Sequence, residues 1–271
     1  MSLVSTDWLS ANLYNVKIVD ASWHLVKNRN AIEEYNKEHI QNAIFFDLDK
    51  NSNQIKDLPH GHFLPLVSDH EKNISEMGIS NTDKIIIYYH SDLISSCRAW
   101  FQFLYFGHDP KLVSVLNGGM KKWKLEGRKV TNSKTKIIPS KYKAKENKNM
   151  IKVKSQIDEN IKIKEFTLLD ARSKNRFLGL ESEPRPGIKS GSIEGSKSMP
   201  LSEIVNVKDN TFLDTKKLRD IFNSSKISSN KIVMSCGSSV SAASLALAYS
   251  LINDDYIPKI YIGSWTEFGE K

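Results

Sequence analysis

Cys236 opens the segment CGSSVSA, Cys236 to Ala242, and the residues around it decide what its thiol can do. An apolar run, Lys231-Ile232-Val233-Met234, precedes it, and a helical apolar pattern from Ser241 to Ile252 follows. That order reads as a buried strand, a tight loop and a helix start, with the thiol at the strand's exit. Small loop residues let successive backbone N–H groups turn inward, and the helix adds its positive end. Both effects favour a thiolate, which makes Cys236 a candidate nucleophile. The alternative is a buried structural cysteine, a common fate for this residue type. Six residues on, a cysteine phosphatase loop needs an arginine to grip phosphate bidentately. Here that position is Ala242. A cradle of amides without that cation suits a sulfur anion on the cysteine itself, a persulfide, and so points to sulfur transfer.

The elements that position this loop occur twice. VKIVDASW (Val16 to Trp23) is echoed by FTLLDARS (Phe166 to Ser173), and EHIQNAIFFDL (Glu38 to Leu48) by GSIEGSKSMPL (Gly191 to Leu201). DKIIIYYHS (Asp83 to Ser91) pairs with NKIVMSCGS (Asn230 to Ser238), and SVLNGGMKKW (Ser114 to Trp123) with KIYIGSWTEF (Lys259 to Phe268). The order is kept and the spacings agree within a few residues. Two copies of one domain follow, which suits a 271-residue chain better than a single core does. Strand-like runs alternate with helical patterns such as Ser96 to Phe106 and Ser241 to Ile252. That alternation predicts an α/β fold with parallel sheets covered by helices on both faces. Ligands of such sheets bind at the carboxyl ends of strands, where Cys236 falls. The expected boundaries are a first domain over 1–130, a polar Lys-rich linker over 131–154 and a second domain over 155–271.

The chain resembles the two-domain sulfurtransferases of the rhodanese superfamily, in particular their 3-mercaptopyruvate branch, from about Val4 to Phe268. The motifs that carry the resemblance are DASW, FFDLD and NGGMKKW in the first half and DARS, RFLG, EPRPG, CGSSVSA and GSWTEF in the second. It implies two tandem rhodanese-like domains, the second catalytic and the first not. His90 or its neighbour then occupies the place that Cys236 fills in the second copy. The reaction implied is a double displacement: the Cys236 thiolate takes a sulfane sulfur, then passes it to an acceptor thiol or to cyanide.

The resemblance also implies a site. Arg176 of RFLG and Arg185 of EPRPG become the clamp for the donor carboxylate, a task that suits guanidinium forks. For a lone arginine the competing reading is a surface group or an internal ion pair with Glu181 or Glu183. Gly237, Ser239, Val240 and Ser241 become the substrate cradle. Ser238, His62 of HFLP and Asp49 of FFDLD map onto a serine-protease-like relay able to polarise the donor carbonyl or protonate the enolate. His60 competes with His62 for that alignment, and a surface histidine is the bland alternative for either. Gly237 and Ser238 are neutral where thiosulfate-selective relatives carry basic residues, so the dianion thiosulfate is expected to be the poorer donor. Three departures stand out. GSIEGS (Gly191 to Ser196) lacks a histidine and a proline of the usual pattern. Ser239 replaces a glycine, at a cost of about 1 kcal/mol if that residue sits at positive φ. Ser241 replaces a threonine and is expected to keep a helix-capping role.

Two cysteines give no disulfide framework, and Cys97, inside the helical pattern SSCRAWFQFL, is read as packing. There is no secretory signal pattern or long apolar run, and the first domain element begins almost at once, so the expected location is the cytoplasm. A net charge of +8 raises nucleic acid as a partner. The lysines, however, alternate with acids and crowd the aromatic-poor linker, so a solvated surface is the better reading. No metal-ligand cluster or nucleotide loop is visible, and no cofactor is expected. The partners expected are a small sulfur donor (3-mercaptopyruvate or thiosulfate) and a thiol acceptor such as thioredoxin or a low-molecular-weight thiol, with no nucleic acid and no membrane. The rival functions are thiosulfate sulfurtransferase and a catalytically weak sulfur-relay or binding module.

Overall fold

Runs of Ile, Val and Leu with no polar alternation form strands covered on both faces, as parallel sheets require. The computed structural model describes residues 2–25, 28–55, 58–225 and 231–270, with side chains outside 54–60. In chain order the first half reads β1 (Leu3–Val4), α1 (Thr6–Ala11), β2 (Lys17–Asp20), α2 (Ala31–Lys37), β3 (Ala43–Phe45), β4 (Asn53–Ile55), β5 (Leu58–Phe63), α3 (Val67–Glu76), β6 (Ile85–Tyr88), α4 (Ser96–Tyr105), β7 (Val113–Leu116) and α5 (Gly119–Leu125). The second half reads β8 (Ile151–Lys152), α6 (Lys154–Ile163), β9 (Thr167–Asp170), α7 (Lys174–Phe177), β10 (Lys197–Ser198), α8 (Thr215–Ser224), β11 (Ile232–Ser235), α9 (Val240–Ser250), β12 (Ile260–Tyr261) and α10 (Ser264–Phe268).

Two compact units result. The first comprises Met1–Asn53, Leu64–Asn147 and Val207–Thr211; the second comprises Gln54–Phe63, Lys148–Asn206 and Phe212–Lys271. Each holds a five-stranded sheet, ordered β1-β7-β6-β2-β3 in the first and β8-β12-β11-β9-β10 in the second. Every pairing in both is parallel. The two orders are the same once each strand is matched to its echo. Register makes the match residue by residue: Asp20 pairs with Tyr88, and Asp170 with Ser235. The next residues, Tyr89 and Cys236, are therefore equivalent.

In the first unit, Ile18, Ile86, Leu116, Met120 and Trp123 share one apolar cluster; in the second, Leu168, Val233, Tyr261 and Trp265 do. The helices that follow the central strands are buried nearly all round: α9 from Val240 to Tyr249, and α4 at every position but Leu104. Neither helix has a solvent face, and in α4 the buried polar groups Arg98 and Gln102 are hydrogen-bonded to each other. The polar stretch 131–154 is divided between the two units at Asn147. Tyr142 within it is buried and stacks on His108, while 151–152 and 154–163 already form β8 and α6.

Candidate active site

β11 delivers Cys236 to the start of a loop that ends at Ser239, the residue preceding α9. Cys236 is 3% exposed. The loop is fastened from beneath by the start of α10. Trp265 N–H donates to Cys236 O (2.9 Å), and Thr266 donates to Gly237 O from its backbone N–H (2.8 Å) and its hydroxyl (2.6 Å). Ser264 Oγ accepts from Cys236 N–H (3.3 Å) and Ser239 N–H (3.2 Å), and itself donates to Tyr261 O (2.9 Å). Ser264 holds a left-handed conformation, φ 51°, to do this. Its equivalent in the first unit is Gly119, φ 53°, which bears the conformation without strain.

Ser239 also lies in the left-handed region, φ 63°, so the condition attached to the missing glycine is met. The preceding turn, not Ser241, sets the helix start. Ser241 lies within the first turn of α9 and is buried, which corrects its expected capping role.

Two side chains meet at the Ser238 hydroxyl. Arg185 Nη2 donates to Ser238 Oγ (2.7 Å), and His62 Nδ1 lies 2.8 Å from the same oxygen. Arginine cannot accept, so with a neutral ring the hydroxyl hydrogen goes to Nδ1, and Nε2 carries the ring proton. His62 comes from β5, which packs on α10. Ser239 Oγ reaches His62 O at 3.5 Å, a long contact. Both expected clamp arginines border the glycine after the cysteine. A Cβ built on Gly237 would lie 3.0 Å from Arg185 Nη1 and 3.2 Å from Arg176 Nη2. Arg176 is held by Glu183, which accepts from its Nε (3.2 Å) and Nη2 (2.6 Å). Glu183 also accepts from Arg172 Nη1 (2.8 Å), and Arg172 Nη2 donates to Asp170 (2.7 Å) at the end of β9. Asp49 belongs to the first unit, where its carboxylate accepts from Trp23 Nε1 (3.1 Å). The side chain of His60 lies outside the described residues.

Comparison with known proteins places this geometry. Residues 5–126 match the rhodanese-like domain family. Over 98% of its length the chain is 35% identical to "Thiosulfate/3-mercaptopyruvate sulfurtransferase 1, mitochondrial" of Arabidopsis thaliana, covering 75% of that protein. It is 34% identical to the thiosulfate sulfurtransferase of Mus musculus, covering 98% of this chain and 91% of that one. Among solved structures it superposes on SseA from Escherichia coli, described as a 3-mercaptopyruvate sulfotransferase of rhodanese fold. The TM-score is 0.86 at 27% identity, over 98% of this chain and 99% of that one. The chain belongs to the rhodanese superfamily of sulfurtransferases.

The α/β architecture expected for this sulfurtransferase, two rhodanese-like domains in tandem, is the one observed. Its first unit places Tyr89, the neighbour of His90, at the position of the thiol. Tyr89 is buried and donates from its hydroxyl to Asn210 O (3.3 Å). Its ring also explains Gly119, because a Cβ there would lie 2.7 Å from Tyr89. A cavity of 570 Å³ remains at that end of the first sheet, lined by residues including Arg29, His90 and Lys121. Cys97 is fully buried in α4, as its reading as packing anticipated. Among the described residues no group of His, Cys, Asp and Glu could hold a metal, and no helix is long and apolar enough to cross a membrane.

Sequence reasoning did not single out Arg172, Ser264 or Asp170. Asp170 and Arg172 were legible only as part of the repeat DASW and DARS, where the serine of one copy becomes the arginine of the other. Ser264 carried no signal, because its role depends on a turn conformation. Glu183 was foreseen, but as a competing partner for the arginines rather than as part of the site.

Proposed function

We propose that this sulfurtransferase moves the sulfur of 3-mercaptopyruvate to an acceptor thiol or to cyanide through a persulfide on Cys236, releasing pyruvate. The observation that carries the reading is the placing of two guanidiniums beside Gly237, one residue from the thiol and with no side chain between. A carboxylate held there by Arg176 and Arg185 brings the donor sulfur to Cys236 Sγ. The thiolate attacks that sulfur, the S–S bond forms, the C–S bond breaks, and the electron pair leaves as the pyruvate enolate. The enolate then takes a proton. Ser238, hydrogen-bonded to both Arg185 and His62, supports a proton route to the carbonyl end of the donor. Asp49 as the third member of that relay rests on the resemblance alone. Gly237, Ser239, Val240 and Ser241 form the cradle whose amides and helix start stabilise sulfur anions.

The acceptor proposed is a small thiol or a thioredoxin-like protein, and the proposed location is the cytoplasm, although one relative is named as mitochondrial. The names of the relatives favour thiosulfate as the second donor to test. The test is intact mass after brief exposure to each donor without reductant. One sulfur atom per chain, a gain of about 32 Da, is expected with 3-mercaptopyruvate and is absent in Cys236→Ser. No gain from either donor overturns the reading in favour of a binding module. Faster loading by thiosulfate overturns the donor preference.

A further inference from the structure

Behind the two clamp arginines lies a buried chain of alternating charge: Asp170, Arg172, Glu183 and Arg176. Arg172 and Glu183 have side chains only 1% and 2% exposed. Arg172 spends its donors on Asp170, on Glu183 and on Gly191 O (2.8 Å), and its guanidinium lies over the Trp265 ring at 4.7 Å. It is thus fixed on every side and faces structure rather than donor. Glu183 has no such single duty. One oxygen is shared by Arg172 Nη1 and Arg176 Nε, and the other takes Arg176 Nη2 at 2.6 Å. That grip fixes Nη2, the Arg176 nitrogen that borders Gly237, and leaves Nη1 unused by Glu183. β2 of the first unit and β9 of the second each end in a buried aspartate, Asp20 and Asp170. In the first unit Asp20 accepts from Ser22 Oγ, from Ser22 N–H and from the Tyr88 hydroxyl, with no guanidinium among these partners, and burial raises its pKa. The arginine–glutamate extension therefore belongs to the unit that carries the thiol.

We infer that Glu183 sets the donor specificity of this sulfurtransferase, by orienting Arg176 and by holding the net charge beside Cys236 to that of a single cation. Arg172 and Arg176 are matched by Asp170 and Glu183, so Arg185, which donates to Ser238, leaves one positive charge, before the Cys236 thiolate common to both donors is counted. A monoanionic donor such as mercaptopyruvate is matched by that charge. A dianion such as thiosulfate is left with one charge uncompensated in a poorly solvated place, where each missing countercharge weighs heavily. The neutral Gly237 and Ser238 act in the same direction from the loop, so Glu183 deepens the donor reading given above and rests on it. It touches no donor atom and is a positioning residue.

The experiment measures kcat/KM for both donors in Glu183→Gln and Glu183→Asp. The glutamine keeps the shape and removes the charge. The ratio of thiosulfate to mercaptopyruvate efficiency should rise about tenfold, because one more positive charge favours the dianion more than the monoanion. Glu183→Asp keeps the charge, so it should lower both efficiencies in parallel and leave the ratio within about threefold of wild type. An unchanged ratio in Glu183→Gln, with both donors weakened alike, overturns the inference and leaves Glu183 a structural pair. A second measurement needs no variant. Pyruvate should protect wild-type Cys236 from alkylation by iodoacetamide at lower concentration than sulfate does. Better protection by sulfate overturns the inference even where Glu183→Gln does not fold. Failure of the wild type to gain sulfur from any donor defeats the sulfurtransferase reading separately, since alkylation does not depend on turnover.

Discussion

Gly237 is the residue on which the clamp depends. Its neighbours are two guanidinium nitrogens closer than van der Waals contact to the Cβ it lacks, at 3.0 and 3.2 Å. A methyl group there forces one arginine outward by a few tenths of an ångström, away from a donor it must hold within hydrogen-bond distance. Gly237→Ala is expected to raise KM for mercaptopyruvate about tenfold while the melting temperature stays within about 2 °C, since no buried contact is lost. Steady-state kinetics beside a thermal melt checks both halves, and an unchanged KM removes the arginines from the clamp. The same crowding explains why the loop carries no basic side chain at this position: the space beside the thiol is already filled with cationic nitrogen.

At the scale of elements, the loop is held by a helix of only five residues, α10, rather than by the long helix that follows it. The decisive atom is Ser264 Oγ, which accepts two buried amides from the loop. Its left-handed backbone costs about 1–2 kcal/mol, so glycine would relieve strain at this position. Glycine also leaves both amides without an acceptor, at about 1–3 kcal/mol each. The second effect is the larger. Ser264→Gly is therefore expected to destabilise the protein by about 1–3 kcal/mol in urea unfolding and to slow persulfide formation at Cys236. A stabilised variant would mean that the loop amides bond elsewhere. The strain at Ser264 and Ser239 thus sits at the candidate nucleophile's own loop, where strained backbone tends to concentrate.

At the scale of the whole molecule, the two copies have kept one architecture while dividing the chemistry. Strand order and register agree between the sheets, yet the thiol's position holds Tyr89 in one and Cys236 in the other. One contribution to acid stability lies away from the site. His70 stacks on Phe106 at 4.0 Å, its Nδ1 lies 3.3 Å from Gln102 Nε2, and its Nε2 has no hydrogen-bond partner among the described residues. Burial, with the charges of Arg98 and His108 behind it, lowers its pKa from 6.5 to about 3. The folded state therefore binds this proton more weakly than the unfolded one. The contribution is complete above pH 6.5 and is lost as pH falls towards about 3. Between pH 6.5 and 5 it should amount to about 2 kcal/mol, which His70→Phe abolishes. Urea midpoints of the two proteins at pH 7.5 and 5 check this, and parallel losses would place the acid sensitivity elsewhere. What the sequence by itself determined is the repeat, the parallel α/β class and the nucleophile's place. Apolar runs recur in a fixed order, two of them ending in Asp-Ala, and a buried strand is recognisable from composition alone. It also marked Arg176, Arg185, Ser238 and His62, each inside a local motif. Strand register settled that Tyr89, the neighbour of His90, stands in for the thiol, in agreement with the ungapped pairing of DKIIIYYHS with NKIVMSCGS. Only the tertiary structure decided that Ser239 precedes α9 in a left-handed turn, that Ser264 fastens the loop, and that Arg172 and Glu183 stand behind the clamp. Those roles belong to contacts between segments far apart in the chain, and a linear pattern of residue types does not encode which distant partner a polar group meets.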